Sequence, residues 1–258
     1  MSRLSMRWFL ALFCLFVLVS SSLDVGKSAR AQSAQPVTPI DPAPALEIQS
    51  TRVRHLNDLN LLVFEQQLGD TAGSALPQPA GQLDGAPVLG YVFPTTLAPE
   101  DVGFNAMAGI VALAVTSHPD FDDTPLWDED GDRDYANDGA CWHSHWVVLG
   151  SDERVPGGLS VQEFSQGDAG VTLPPTHPDM PMYIDSPGFA VVTEENVLRV
   201  LVPEQRVNYV TDFSFDAVAA YMQVNTSDAS LPMLGVYEVY SVSSGDLSLP
   251  YRVQEGES

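Results

Sequence analysis

Lysine is almost missing from this chain: of 258 residues the only one is Lys27. Beyond residue 27 there is thus no Schiff-base chemistry, no pyridoxal attachment, no phosphate-loop lysine and no Ser-Lys dyad. Positive charge of any kind is short, with 11 Lys+Arg against 34 Asp+Glu and a formal net charge of −23. Phosphate binding needs clustered Lys and Arg to displace counterions, so nucleic acid is excluded as a partner and an anionic membrane surface is disfavoured. Cysteine occurs twice, as Cys14 and Cys141. Long helical stripes are also lacking, because 20 prolines and 19 glycines are spread along the chain and no 3.6-residue pattern lasts beyond three turns. There is no Gly-x-Ser-x-Gly elbow, no His-Glu-x-x-His and no glycine-rich phosphate cradle. What the chain does have is an apolar fraction of 45%, enough to bury a core.

The N-terminal segment reads as an export signal. Arg3 and Arg7 precede an apolar run from Trp8 to Val19, and Ala29-Arg30-Ala31 follows a polar stretch. A basic start, a short apolar run and an A-x-A site predict cleavage after Ala31, with residues 1–31 removed and the protein periplasmic or extracellular. The run is too short for a membrane span, which takes about 20 apolar residues. Cleavage leaves seven Arg, no Lys and 33 acids, a net of −26. Only Cys141 then remains, so no internal disulfide forms despite an oxidising destination. Stability rests on packing, with any bound metal as a supplement, and so acidic a chain attracts cations.

Residues 32–45, with Pro36, Pro39, Pro42 and Pro44, read as an extended leader. One domain is expected over 46–251, followed by a polar tail at 252–258. Short apolar segments broken by Gly, Pro, Asn and Asp predict strands at 46–56, 59–66, 88–93, 107–116, 141–149, 158–164, 188–193, 197–202, 217–224 and 234–242. Several alternate with period two, as do Val218, Ala220, Met222 and Val224. The expected fold class is all-β, an antiparallel sandwich or jelly roll carrying long acidic loops.

Two stretches carry a family likeness. Leu46-Glu-Ile-Gln-Ser-Thr-Arg-Val-Arg-His-Leu with Leu59-Asn-Leu-Leu-Val-Phe-Glu-Gln resembles the paired first strands of DOMON-like domains and family 9 carbohydrate-binding modules. Within 191–216, Val192-Thr-Glu-Glu-Asn-Val-Leu-Arg-Val-Leu-Val-Pro203 and Phe213-Ser-Phe-Asp216 are similar to their late strand and its exit. The resemblance covers about a quarter of the exported chain. It implies a secreted β-sandwich that binds a sugar, haem or calcium without doing chemistry.

The chemically dense window is 116–146, which holds nine acids, three of the five histidines, Cys141 and every tryptophan after the signal. On a strand, residues two apart share a face, so His143 and His145 present adjacent imidazoles as a transition metal requires. Ser117-His118-Pro119-Asp120 recurs as Thr176-His177-Pro178-Asp179. A residue before proline is pushed toward extended geometry, so His118 and His177 are each expected at a strand end. Asp120 and Asp179 are the candidate partners that orient them. Met180 and Met182 add soft ligands, so copper or zinc is the expected ion. A blue-copper arrangement is rejected, because Cys141 and His143 stand too close and no Met follows in that loop.

Asp128, Asp130, Asp132 and Asp134 alternate about Gly131, a density of hard oxygen ligands that suits calcium in an irregular loop. An EF-hand is excluded, since Arg133 and Gly139 stand where Gly and Glu are required. Trp127 and Trp142 are candidates for stacking a sugar or another small molecule. The primary expectation is therefore a metal-binding, exported β-sandwich with no catalytic residue assigned. A carbohydrate- or cofactor-binding module and a metal-dependent hydrolase are the alternatives.

Overall fold

The computed structural model describes residues 43–256 apart from Gln166. The signal segment 1–31 and most of the leader lie outside the described residues. Alternating patterns pair wherever turn residues allow. Asp58, Leu59 and Asn60, the last with φ 50°, reverse the chain between β1 (Ile48–Leu56) and β2 (Leu61–Leu68). The antiparallel register runs from Leu56 opposite Leu61 to Ile48 opposite Leu68. The remaining strands are β3 (Pro87–Pro94), β4 (Ile110–Ser117), β5 (His143–Ser151), β6 (Leu159–Val161), β7 (Ile184–Asp185), β8 (Ala190–Glu194), β9 (Val197–Pro203), β10 (Ser214–Phe215), β11 (Val218–Val224), β12 (Leu234–Val242), β13 (Tyr251–Arg252) and β14 (Gln254–Glu255). Helical structure among the described residues is limited to 3-10 turns of three or four residues, none long enough to cross a membrane.

Each of the ten expected strands is present, and the all-β, mainly antiparallel class holds. One sheet has the order β14-β1-β2-β9-β8. The other runs β4-β3-β11-β12-β6-β5-β7, and the further β4–β5 pairing closes its first six strands into a barrel. Residues 252–255 do not trail free: Arg252 pairs with Ser214, and Gln254 and Glu255 lie parallel to β1. Pro44–Leu46, expected in the leader and at the first strand, is a 3-10 turn that buries Ala45 and Leu46.

Period-two alternation gives the barrel two different faces. Leu113, Val115, Trp146, Val148, Tyr91 and Tyr221 point outward and pack against Phe64, Leu62, Leu198 and Val200 of the five-stranded sheet. Phe64 sits at this interface, 5.3 Å from Phe93, 6.2 Å from Trp146 and 5.9 Å from Phe213 between ring centroids. The inward face carries Ala112, Ala114, Val147, Val218, Ala220 and Met222. Thr116, Gly90 and Ala220 occupy one inward row. Six-stranded barrels are ordinarily filled by their own side chains, and this one is lined by unusually small ones.

Candidate metal centre

The same alternation that sends Val147 and Leu149 into the barrel sends His143 and His145 there as well. His143 pairs with Thr116 and His145 with Ala114. His118 follows directly on β4, where its backbone N–H donates to Gly139 O at 2.7 Å. Pro119 prevents continuation of the ladder, and the chain leaves as a loop that returns at Ala140, whose carbonyl accepts the Ser117 hydroxyl at 2.8 Å. Within this loop Asp122 faces away from the barrel, accepting Thr124 N at 2.7 Å and Asp138 N at 2.9 Å. Its neighbour Asp123 is thereby turned inward, and the Ser186 hydroxyl holds the Asp123 carbonyl at 2.6 Å.

The result is a buried cage of four side chains, His118, Asp123, His143 and His145, each at most 5% exposed. Asp123 Oδ1 lies 3.2 Å from His118 Nε2, 3.1 Å from His143 Nε2 and 3.4 Å from His145 Nε2. The Nε2 atoms of His118 and His143 are 3.0 Å apart. Every Nδ1 of the three histidines is committed elsewhere. His118 donates to Phe121 O at 2.9 Å, His143 to Cys141 O at 2.8 Å, and His145 to Asp185 O at 3.2 Å. The Ser186 hydroxyl spends its proton on Asp123 O, so its oxygen accepts from His145 Nδ1 as well, also at 3.2 Å.

With the Nδ1 protons so placed, four acceptors converge, the Asp123 oxygen 3.1–3.4 Å from each Nε2 and the nitrogens of His118 and His143 3.0 Å apart, a repulsive arrangement that a cation resolves. Asp123 Oδ1 and His145 Nε2 have no hydrogen-bond partner at all. Ligands held about 2.0–2.1 Å from one ion stand roughly 3.3–3.4 Å apart at the edges of a tetrahedron. At the same metal–ligand length an octahedron has shorter edges, of about 3.0 Å. The observed spacings span the two. Carbonyl partners on the opposite ring nitrogen are what orient metal-ligating histidines generally. Burial pushes the Asp123 carboxyl up, but whenever a ring of the cage also carries a proton on Nε2, the charges of His145 and His118 and hydrogen bonds from His118 and His143 hold it well below the usual carboxylate range. It is ionised and available as a ligand.

Other groups surround the cage. Phe121 stacks on His118 with centroids 3.9 Å apart and planes within 6°. The Thr116 hydroxyl is 3.2 Å from His143 Nε2. Glu129 accepts the Thr124 hydroxyl at 3.1 Å through Oε2, while its Oε1 is buried without a partner. Burial raises the Glu129 carboxyl above its ordinary value, partly offset by His143.

Several sequence expectations are corrected. His177 does not join the cage: its Nε2 donates to Met182 O at 3.3 Å and its Nδ1 accepts Asp179 N at 3.0 Å. The second His-Pro-Asp is simply a turn, with Asp179 at φ 60°. Neither Asp179 nor Asp120 orients a histidine through its carboxylate, since Asp120 instead accepts Ala80 N and Gly81 N at 2.8 and 2.6 Å. Trp142 packs 4.8 Å from Tyr91 and donates to Gly73 O, so it offers no stacking platform. Trp127 donates to Ser186 O and lies over Gly188, where a Cβ would come within 2.2 Å of the indole, while the residue stays 36% exposed.

In the acidic loop, Asp132 and Asp134 accept backbone N–H groups two residues ahead and stay exposed. Asp128, Asp130 and the fully buried Asp138 are the carboxylates that gather. Asp138 Oδ1 accepts Asp130 N at 3.1 Å, whereas Oδ2 is buried and has no partner.

The chain matches no protein-family model, and neither curated proteins nor solved structures give a match. The cage therefore stands on its own geometry.

Proposed function

We propose that the protein is an exported metalloprotein, periplasmic or extracellular, that holds one transition-metal ion through His118, Asp123, His143 and His145. The observation that carries this reading is the convergence of four acceptors whose only other ring protons are already used on backbone carbonyls. Three imidazoles and one carboxylate make a set without sulfur, which suits zinc or copper(II) better than copper(I). Cys141 is not among the clustered donors and contributes its carbonyl to His143. Export is supported by the basic, apolar and A-x-A order of residues 1–31.

The test is elemental analysis of protein purified without chelator and after incubation with zinc or copper. About one equivalent of metal is expected in the native protein, and under about a tenth in His143→Ala/His145→Ala. A native protein that takes up neither ion, or a double variant that keeps its ion, overturns the reading.

A metal-dependent hydrolase is the second reading, and its one favourable observation is the unpartnered buried Glu129 Oε1 near His143. Chelator-sensitive hydrolysis that Glu129→Gln abolishes, with metal content unchanged, would establish it. Calcium at Asp128, Asp130 and Asp138 is an independent proposal, supported by the buried Asp138 Oδ2 that lacks a donor.

A further inference from the structure

The barrel interior is not filled. Ala114 and Ala220 occupy inward positions where larger residues would close it, and a cavity of ≈ 300 Å³ remains. The metal cage forms one end of this space, since His118, Asp123, His145 and Thr116 all line it. The walls are otherwise nearly all aliphatic. From Met222 and Val224, whose strand pairs with β3 beside the cage, the lining continues to Val218, Leu149 and Leu247 at the opposite end of the barrel. There the loop after β12 places Leu247 and Leu249 over the cavity with φ of 57° and 53°. Bulky residues rarely adopt this left-handed geometry, and both leucines are only half-buried, so this loop is the natural entrance.

Shape and charge define the occupant. At the roughly 30 Å³ that a water-sized unit takes up in a liquid, the cavity admits on the order of ten non-hydrogen atoms. No Arg or Lys lines it, and of its two acids Asp123 is buried whereas Asp179 is exposed. A divalent ion balanced by one carboxylate keeps one formal positive charge, which a monoanion neutralises without any basic side chain. We propose that the barrel is a receptor cavity for a small monocarboxylic acid. Its carboxylate adds to the metal ion as a fifth ligand from the cavity side, and its apolar tail, medium-chain aliphatic or aromatic, lies along the barrel axis. This rests on the metal reading above and adds the ligand class to it.

Octanoate, with ten non-hydrogen atoms, is the probe, titrated calorimetrically into the metal-loaded protein and, after cobalt(II) substitution, followed by the visible spectrum. Saturable binding with a shift of the cobalt bands is expected. Acetate should bind at least about 100-fold more weakly, since each additional buried methylene is worth a factor of about four. Ala220→Leu, which fills the cavity, should weaken octanoate at least about tenfold while metal content stays unchanged. Val218→Phe at the far end provides the same test should Ala220→Leu misfold. A protein that holds its metal but shows no saturable octanoate binding overturns the inference and leaves the metal reading standing. Equal octanoate binding after chelation overturns the placement of the head group on the ion. Absence of metal from the native protein defeats the underlying reading, and this inference with it.

Discussion

Replacement of Asp123 by Asn separates a metal cage from a merely polar core, because the two predict opposite signs in the metal-free protein. In chelator the native protein keeps one carboxylate oxygen 3.1–3.4 Å from three Nε2 atoms whose ring partners, the Nδ1 atoms, already face backbone carbonyls. An Asn amide of nearly the same shape turns one acceptor into a donor toward these nitrogens. A new hydrogen bond contributes about 0.5–1.5 kcal/mol, so chelated Asp123→Asn should melt roughly 1–6 °C above the chelated native protein. With metal present the order reverses. An ion at a thousandfold excess over its dissociation constant stabilises the native protein by about 4 kcal/mol, which for a domain of this size is roughly 8–16 °C. The variant loses the charged ligand and most of that increment. Differential scanning calorimetry in chelator and in zinc reads both arms. The reasoning is refuted if Asp123→Asn melts below the native protein in chelator, or if its zinc-induced shift is undiminished.

Gly139→Ala tests how the loop docks. A Cβ there would lie 1.8 Å from Phe121 O and 2.9 Å from His118 Nδ1, displacing the carbonyl that orients His118. Metal affinity should fall about 10- to 100-fold, measured by competition with a zinc indicator. Millimolar calcium should slow amide exchange across 120–138 in the native protein but not in Asp138→Asn, and unchanged exchange in the native protein would refute the calcium proposal. Glu65 is held below its ordinary carboxyl range despite burial, by Arg52 at 2.6 Å and Arg199 at 2.7 Å. A depressed carboxyl contributes stability above its unfolded pKa and loses it as pH falls through the folded one. Arg199→Ala weakens that depression, so acid unfolding followed by circular dichroism should begin at higher pH.

Much of this structure is legible in the sequence, for identifiable reasons. Strand alternation alone places His143 and His145 on one face with Val147 and Leu149, and the His-Pro dipeptide puts His118 at a strand end. Asp123 is not legible. It is one of nine acids in its window, and what selects it is the outward engagement of Asp122 with Thr124 and Asp138, together with a hydroxyl from Ser186, 63 residues away. The repeated His-Pro-Asp misleads for a related reason. Both copies make turns, but only the first leads back into a strand that pairs with its own, whereas His177 finds Met182 O. Barrel closure is equally hidden, because the β4–β5 pairing spans the acidic loop, and β7, β10, β13 and β14 are two residues each with no pattern to read.

The position of the cage explains how so acidic a loop is held with no disulfide among the described residues, where Cys141 is free. Between His118 and His143 lie nine acids and the single Arg133, so self-repulsion favours an expanded loop. His118 stands at its start, His143 at its end and Asp123 inside it, and all three meet at one point. An ion bound there closes the loop at its neck, and loop-closure entropy grows only slowly with the length enclosed. The barrel itself does not depend on that closure. The pairs from Ile110 with Leu149 to Thr116 with His143 form one continuous ladder whose outward face is buried against the second sheet. Metal release should therefore open the loop locally before it threatens the fold, which places the least stable part of the molecule over the ion and the cavity beneath it.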